Sequence, residues 1–187
     1  MSQIENRLRW TTADLDLFPD NGNRYEIVDG ELLVTRAPNW KHQKTIGNLC
    51  TELTLWSRQT DLGEVAMGAG VIFTDEDNVI PDLVWVGRER LATILDEAGH
   101  LTAAPDLAVE VLSPGAENER RDRQLKLRLY SIQGVREYWI VDQQLQQIQV
   151  YRRENAALVL AATLLSGDVL TSPLLPEFSC LVDRVFS

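Results

Sequence analysis

The sequence predicts a mixed α/β fold, an αβββαβ core whose mixed sheet is covered by helices and extended by antiparallel strands at both ends. Three observations carry this. Residues 40–59 and 116–133 repeat apolar side chains at helical spacing. Short apolar runs at 64–73, 79–86 and 106–112 lie between those helices, and another at 137–142 follows. Strands that flank a helix in this order imply a sheet with helical cover.

Each element has a local signal. Thr11 and Asp14 form an N-cap pattern for a short helix ending near Phe18. Residues 19–23, rich in Asp, Asn and Gly, read as a loop. Residues 24–35 read as a hairpin, because Asp29-Gly30 suits a tight turn with positive φ. In the first long helix, Ile46, Leu49, Cys50, Leu53 and Trp56 mark one face. Asp75 to Asn78 form a turn, and residues 88–98 a surface helix. Ser113-Pro114-Gly115 ends the strand at 106–112, and Gly134 closes the second long helix. Trp85 and Trp139 read as strand core. Antiparallel strands follow at 147–153 and 157–164, and the tail, with Pro173 and Pro176, reads as loop plus a short terminal element.

The 187 residues suit one domain, 1–187, with its core at about 40–142. Apolar residues make up 44% and charged residues 25%, as in globular proteins that bury a core without disulfides. Cys50 and Cys180 form no CxxC pattern, which excludes a disulfide scaffold and disfavours a structural zinc site. The opening MSQIENRLRW lacks an apolar signal-peptide centre, and no stretch nears the roughly 20 apolar residues of a membrane span. A cytoplasmic location without membrane contact is the expectation. The net charge of −10 argues against a nucleic-acid partner unless a local basic patch exists.

Two carboxylates do not fit a plain core. Asp82 stands in Val-Ile-Pro-Asp-Leu-Val-Trp-Val, and Glu110 in Leu-Ala-Val-Glu-Val-Leu. A buried ionised carboxylate needs a partner or must neutralise. A hard divalent cation such as Mg²⁺ would satisfy both. The plainer reading puts Asp82 at a strand entrance after Pro81 and pairs each acid with an arginine. Asp122 and Lys126 share a helix face, which by spacing alone suggests a surface ion pair. Arg120, Arg121, Arg123, Lys126 and Arg128 outnumber the acids Glu117, Glu119 and Asp122. That excess could face phosphates or form a solvated flank.

Six motifs stand in order: Arg24-Tyr-Glu-Ile-Val-Asp-Gly-Glu31, His42-Gln43, Pro81-Asp82-Leu-Val-Trp-Val, Pro105-Asp-Leu-Ala-Val-Glu110-Val-Leu-Ser-Pro114, Asp122-x-x-x-Lys126-x-x-x-Tyr130 and Gly134-Val-x-Glu-Tyr-Trp-Ile-Val-Asp142. Together they resemble the Uma-type family of restriction-endonuclease-like proteins in the PD-(D/E)XK nuclease superfamily, from about Thr11 onward. The resemblance implies a restriction-endonuclease-like fold and a metal-dependent endonuclease acting on nucleic acid, with DNA the expected substrate. It makes Asp82, Glu110 and Lys126 the catalytic residues. It assigns Asp82, Glu110 and the Val111 carbonyl to Mg²⁺ or Mn²⁺, in octahedral oxygen coordination with waters retained. Leu112 occupies the superfamily's usual lysine position, two residues after the acid, and Lys126 on the helix takes its role. Glu26, His42 and Asp122 are accessory candidates, with Glu31 and Glu52 behind them. Glu26 could instead form a cross-strand pair in the hairpin, and His42 could cap its helix. A homodimer is expected if both strands of a duplex are cut. Two other readings remain: a nuclease-fold protein kept for binding or assembly with little catalysis, and a hydrolase of small phosphate esters.

Overall fold

The computed structural model describes residues 8–187, so most of the opening segment on which the signal-peptide reading rests lies outside the described residues. After a short 3-10 turn, Thr12–Leu17, strands β1 (Arg24–Val28) and β2 (Glu31–Thr35) form the expected hairpin. Asp29 and Gly30 both take positive φ, 52° and 72°, as a primed turn requires. Helix α1 (Trp40–Thr60) follows, with the Asn39 side chain accepting from the His42 N–H at its start.

The core sheet has the strand order β10-β9-β8-β7-β6-β3. The strands of the αβββαβ core are β3 (Gly63–Met67), at one edge of this sheet, then β6 (Leu83–Gly87), β7 (Leu107–Val111) and β8 (Glu137–Asp142). The β3–β6 and β6–β7 pairs are antiparallel and β7–β8 is parallel. A parallel pair needs a crossover, and the helical segment 116–133 supplies it. That segment runs as α3 (Ala116–Arg120), a π-helical stretch (Arg121–Lys126) and α4 (Leu127–Gln133), closed by Gly134 at φ 94°. The αβββαβ order is therefore present. Strands β9 (Gln147–Glu154) and β10 (Ala157–Leu164) extend the sheet antiparallel, as expected.

Two predicted strands are each divided between two sheets. The run 64–73 becomes β3 and β4 (Val71–Thr74), and the run 79–86 becomes β5 (Asp77–Val79) and β6. Strands β4 and β5 join the hairpin in a second sheet, order β2-β1-β5-β4. Gly68, at φ 61°, breaks the first run, and Pro81, which has no N–H to give a ladder, breaks the second. The Gly68 N–H donates to the Asp82 carbonyl (3.2 Å), so both breaks lie side by side. Helix α2 (Arg88–Ile94) stops short of the predicted 98. The tail is more ordered than its prolines suggest. It forms a hairpin, β11 (Val169–Ser172) and β12 (Leu175–Leu181), before α5 (Val182–Phe186). A two-stranded edge tolerates Pro176, whose carbonyl accepts from Trp56 Nε1 (2.8 Å).

Alternation along β7 divides the molecule into two cores. Leu107, Val109 and Val111 face Ile46, Leu49, Leu53 and Trp56 of α1, with Phe178 and Cys180 from the tail. Ala108 and Leu112 face the other core, with Leu129, Tyr130, Tyr138, Val28 and Val79. Glu110 has the parity of Ala108, so it points between the two sheets toward the crossover helix. Trp85 and Trp139 are buried, whereas Cys50 is only half-buried at the core edge. Both cysteines are free. Among the described residues, no helix is long and apolar enough to cross a membrane.

Two glycines test this packing. A Cβ on Gly63 would meet the Val86 carbonyl at 2.3 Å and the Trp85 ring at 2.6 Å, whereas one on Gly47, inside α1, meets nothing within 4 Å. Gly63→Ala should destabilise by about 1–3 kcal/mol through overpacking. Gly47→Ala should stabilise by about 0.5–1 kcal/mol through helix propensity. Urea unfolding of both variants measures the contrast.

Candidate functional site

Four pieces of chain converge between the sheets. The Pro81 break leaves Asp82 just before β6, and strand parity aims Glu110 from β7 at the same space. From the hairpin, Arg24 and Glu26 share one face of β1 with Val28. The crossover helix adds Lys126 and Tyr130, four residues apart and so on one helix face. Lys126 ends the π-helical stretch, a distortion that often marks functional sites.

The Lys126 ammonium is fully buried, donates to Glu110 Oε1 (2.8 Å) and forms an ion pair with Glu26 Oε1 (2.8 Å). The Tyr130 hydroxyl donates to the same Glu110 oxygen (2.9 Å), and the Ile80 N–H donates to Glu26 Oε1 (2.7 Å). Asp82 Oδ1 accepts from Arg24 Nη1 (2.8 Å), and its Oδ2 from the Val111 N–H (2.9 Å). His42 Nε2 lies 2.9 Å from the Val111 carbonyl and 3.3 Å from Asp82 Oδ2. A carbonyl only accepts, so Nε2 carries the hydrogen. The other ring nitrogen, Nδ1, is buried and has no hydrogen-bond partner among the described residues. Asp122 is held by Arg121 through two hydrogen bonds, 2.8 and 3.0 Å, and Arg121 also reaches Thr35 Oγ1 (2.6 Å).

These groups border a polar cavity of about 20 Å³, walled by Arg24, Arg36, Arg121 and Lys126 against Glu26, Asp82 and Glu110. It holds about one water-sized occupant. Four cations face three acids here, the reverse of the whole-chain balance. The sequence-predicted Asp82, Glu110, Lys126, Glu26 and His42 meet at this cavity, and Asp122 stands behind it. Glu26 is thus no cross-strand pair, and Asp122 and Lys126 form no surface ion pair. Glu31 lies exposed at the start of β2, outside the cavity wall, and Glu52 pairs with Arg184 (3.4 Å). The basic excess on the crossover helix does not form a free patch. Arg121 and Lys126 are buried against acids, and Arg123 binds Asp142 (2.9 Å) and Gln149. Sequence reasoning gave no role to Arg24 and Tyr130, and took Arg121 only as part of a basic excess. Tyr130 could have been found from its i+4 spacing to Lys126, and Arg24 from its parity with Glu26.

The environment separates the two central acids. Burial would raise the Asp82 carboxyl, but the His42 ring, the Val111 N–H and the Lys126 charge outweigh it and hold it at about 2. Burial pushes Glu110 up to about 8 against the pull of Lys126, aided by the charges of Asp82, Asp122 and Glu26. Lys126 is raised despite its burial, because Glu110, Glu26 and Asp122 surround it.

The donor chemistry fits a hard divalent ion. Three carboxylates border the cavity, the Val111 carbonyl lies behind it on the His42 ring, and Lys126 and Arg24 now supply the positive charge the acids require. Among the described residues, no group of three or more His, Cys, Asp or Glu side chains stands arranged as a metal cage. Arg24, with its side chain 28% exposed, stands on the solvent side of Asp82.

Fold and site together define a mixed α/β protein of the restriction-endonuclease-like class. Residues 12–183 match the Uma2 family, described as "Putative restriction endonuclease", and the chain belongs to that family. The fold is similar to the crystal structure of a protein from Anabaena variabilis described as a "putative nuclease belonging to DUF820", at TM-score 0.73 and 17% identity, covering 94% of this chain and 97% of that one. A weaker likeness, TM-score 0.42 and 15% identity, is to the type IIG restriction endonuclease BpuSI, covering 78% of this chain and 15% of that one. No curated protein matches this chain.

The raised Glu110 sets a pH dependence. The folded state holds a proton that the unfolded chain releases above its ordinary 4.5, so Glu110 makes stability fall as pH rises from 4.5 toward 8. Urea midpoints across that window should decline in the wild type and flatten in Glu110→Gln. Asp82 acts oppositely and elsewhere: its contribution is present above 3.8 and is lost as pH falls through about 2.

Proposed function

We propose that this protein is a metal-dependent endonuclease that hydrolyses phosphodiester bonds of nucleic acid, with DNA as substrate. The observation that carries this reading is the convergence of Asp82, Glu110 and Lys126 on one polar cavity between the two sheets. Asp82, Glu110 and the Val111 carbonyl would hold Mg²⁺ or Mn²⁺. Bound there, the ion would polarise the phosphate and lower the pKa of a water.

The chain's own residues do the rest. The Val111 N–H orients Asp82, and Tyr130 and Lys126 orient Glu110. Glu110 must release its proton to act as a charged ligand, so metal uptake is coupled to proton loss. Lys126, held between Glu26 and Glu110, supplies positive charge for the phosphoryl oxygens. Arg24 must leave Asp82 for a phosphate to enter, since a cavity of about 20 Å³ is too small for one. Once displaced, its guanidinium is a natural phosphate partner. Arg36, on the same wall, adds a second cation.

A second reading draws on the same geometry. Lys126 is saturated by two glutamates and Asp82 by Arg24, so the cluster neutralises itself without an ion. That balance suits a nuclease-fold binding protein with little catalysis.

Incubation of supercoiled plasmid with purified protein and Mn²⁺ or Mg²⁺ separates the two. Nicking or cutting is expected, with loss of about 100-fold or more in Asp82→Ala and Glu110→Ala. Unchanged cleavage in both variants would overturn the site. Absent cleavage, with no Asp82-dependent Mn²⁺ binding by calorimetry in a folded protein, would support the binding-protein reading. Mn²⁺ affinity should rise with pH toward about 8, the value to which Glu110 is raised.

A further inference from the structure

One tryptophan is out of place. Trp56, Trp85 and Trp139 are buried, but Trp40 is 81% exposed at the first position of α1. Tryptophan is highly buried on average, so an indole held in solvent calls for a partner. Trp40 lines a surface groove of about 320 Å³ with Lys41, Lys44, Gln143 and Gln146. That volume lies in the range of small-ligand sites, whereas the catalytic cavity holds about one water. Among the described residues no acidic side chain lines the groove, and Ser187 at its rim has its main-chain oxygen bonded by Asn48 (2.9 Å).

The local charge matches the groove. Between Glu31 and Glu52 the chain has no acidic residue and carries Arg36, Lys41 and Lys44, within a protein of net charge −10. Trp40 and Lys44 are four residues apart and share a helix face. The groove also adjoins the candidate site. The segment 36–44 walls both, giving Arg36, Pro38 and His42 to the cavity and Trp40, Lys41 and Lys44 to the groove. Across the sheet, Val111 pairs with Val141 in the parallel β7–β8 ladder, and Gln143 follows directly after β8. Site and groove thus lie at the carboxyl ends of two paired, parallel strands.

We infer that this groove binds an unpaired nucleotide next to the phosphodiester held at the site, and that the substrate is single-stranded nucleic acid. The assignment rests on the nuclease reading and deepens it. The Trp40 indole stacks on one base, a contact open to any base but only when it is unstacked from its own helix. Lys41 and Lys44 face the flanking phosphates, and the exposed Gln146 amide reaches the base edge, while the Gln143 NH2 donates to Thr45 Oγ1 (2.7 Å) and forms part of the groove wall. Trp40 and His42 point to opposite sides of the same first helical turn, so the strand crosses the end of α1 between groove and cavity.

The test is fluorescence anisotropy with a labelled single-stranded oligodeoxynucleotide and the blunt duplex of the same sequence, in EDTA so that hydrolysis cannot intrude. The single strand is expected to bind more tightly than the duplex. Trp40→Ala should weaken single-strand binding by about 10-fold or more, while Trp40→Phe keeps most of it. Lys41→Gln with Lys44→Gln should lower both affinity and its salt dependence. Trp40 is a surface residue, so circular dichroism of these variants should match the wild type. Equal single-strand affinity in Trp40→Ala and wild type overturns the assignment, as does a preference for duplex. So does sedimentation showing a dimer that Trp40→Ala dissolves while nucleic-acid binding stands. Cleavage reads separately. Asp82-dependent cutting that ignores Trp40→Ala sinks only the stacking site, whereas Trp40-dependent binding without metal-dependent cutting sinks only the nuclease reading.

Discussion

A fully buried ammonium held by two glutamates is the constraint on which the rest of this structure depends. Desolvating Lys126 costs several kcal/mol unless opposite charge stands close, and Glu26 and Glu110 meet that need from two different sheets. The contact therefore fixes more than a side chain. It ties the hairpin to the core sheet and sets the depth of the crossover helix, with Tyr130 adding a second hydrogen bond one turn on. Removing either glutamate would leave the buried ammonium with a single carboxylate in contact.

The surplus of acid around that ammonium makes the site chemically uneven. Asp82 is held ionised by a guanidinium and a backbone N–H, while Glu110 is pushed toward its protonated form. Two carboxylates, close in space, are thus shifted in opposite directions. Arg24 and Lys126 supply locally the positive charge that a divalent ion would supply. Such a cluster is stable as it stands and poised to exchange positive charge. That links the packing of the core to the chemistry proposed for it.

The acidic net charge weighed against a nucleic-acid partner, yet charge is not spread evenly. Cations gather on the cavity wall and on the first turns of α1, and both lie at the carboxyl ends of β7 and β8. A protein can repel polyanions over most of its surface and still attract one at a single edge.

Much of this was legible in the sequence. Helical spacing gave α1 and the crossover helix, and Asp29-Gly30 gave the hairpin. The isolated acids at 82 and 110 announced a site because carboxylates in apolar strands demand partners. These signals are local: each depends on residues within a few positions of one another. The division of two predicted strands between two sheets was not legible, since a short apolar run looks the same in either sheet. The tail hairpin was hidden by its prolines, which an edge strand tolerates. The basic residues of the crossover helix gave no sign of which were buried, because burial is settled by what packs above them. Sequence alone determined that Asp82 and Glu110 needed partners, and only the family resemblance drew Lys126 to them. Only the tertiary structure decided that Glu26, Arg24, Tyr130 and His42 are those partners, because each arrives from a distant segment and the contacts exist only once the two sheets close on the helix.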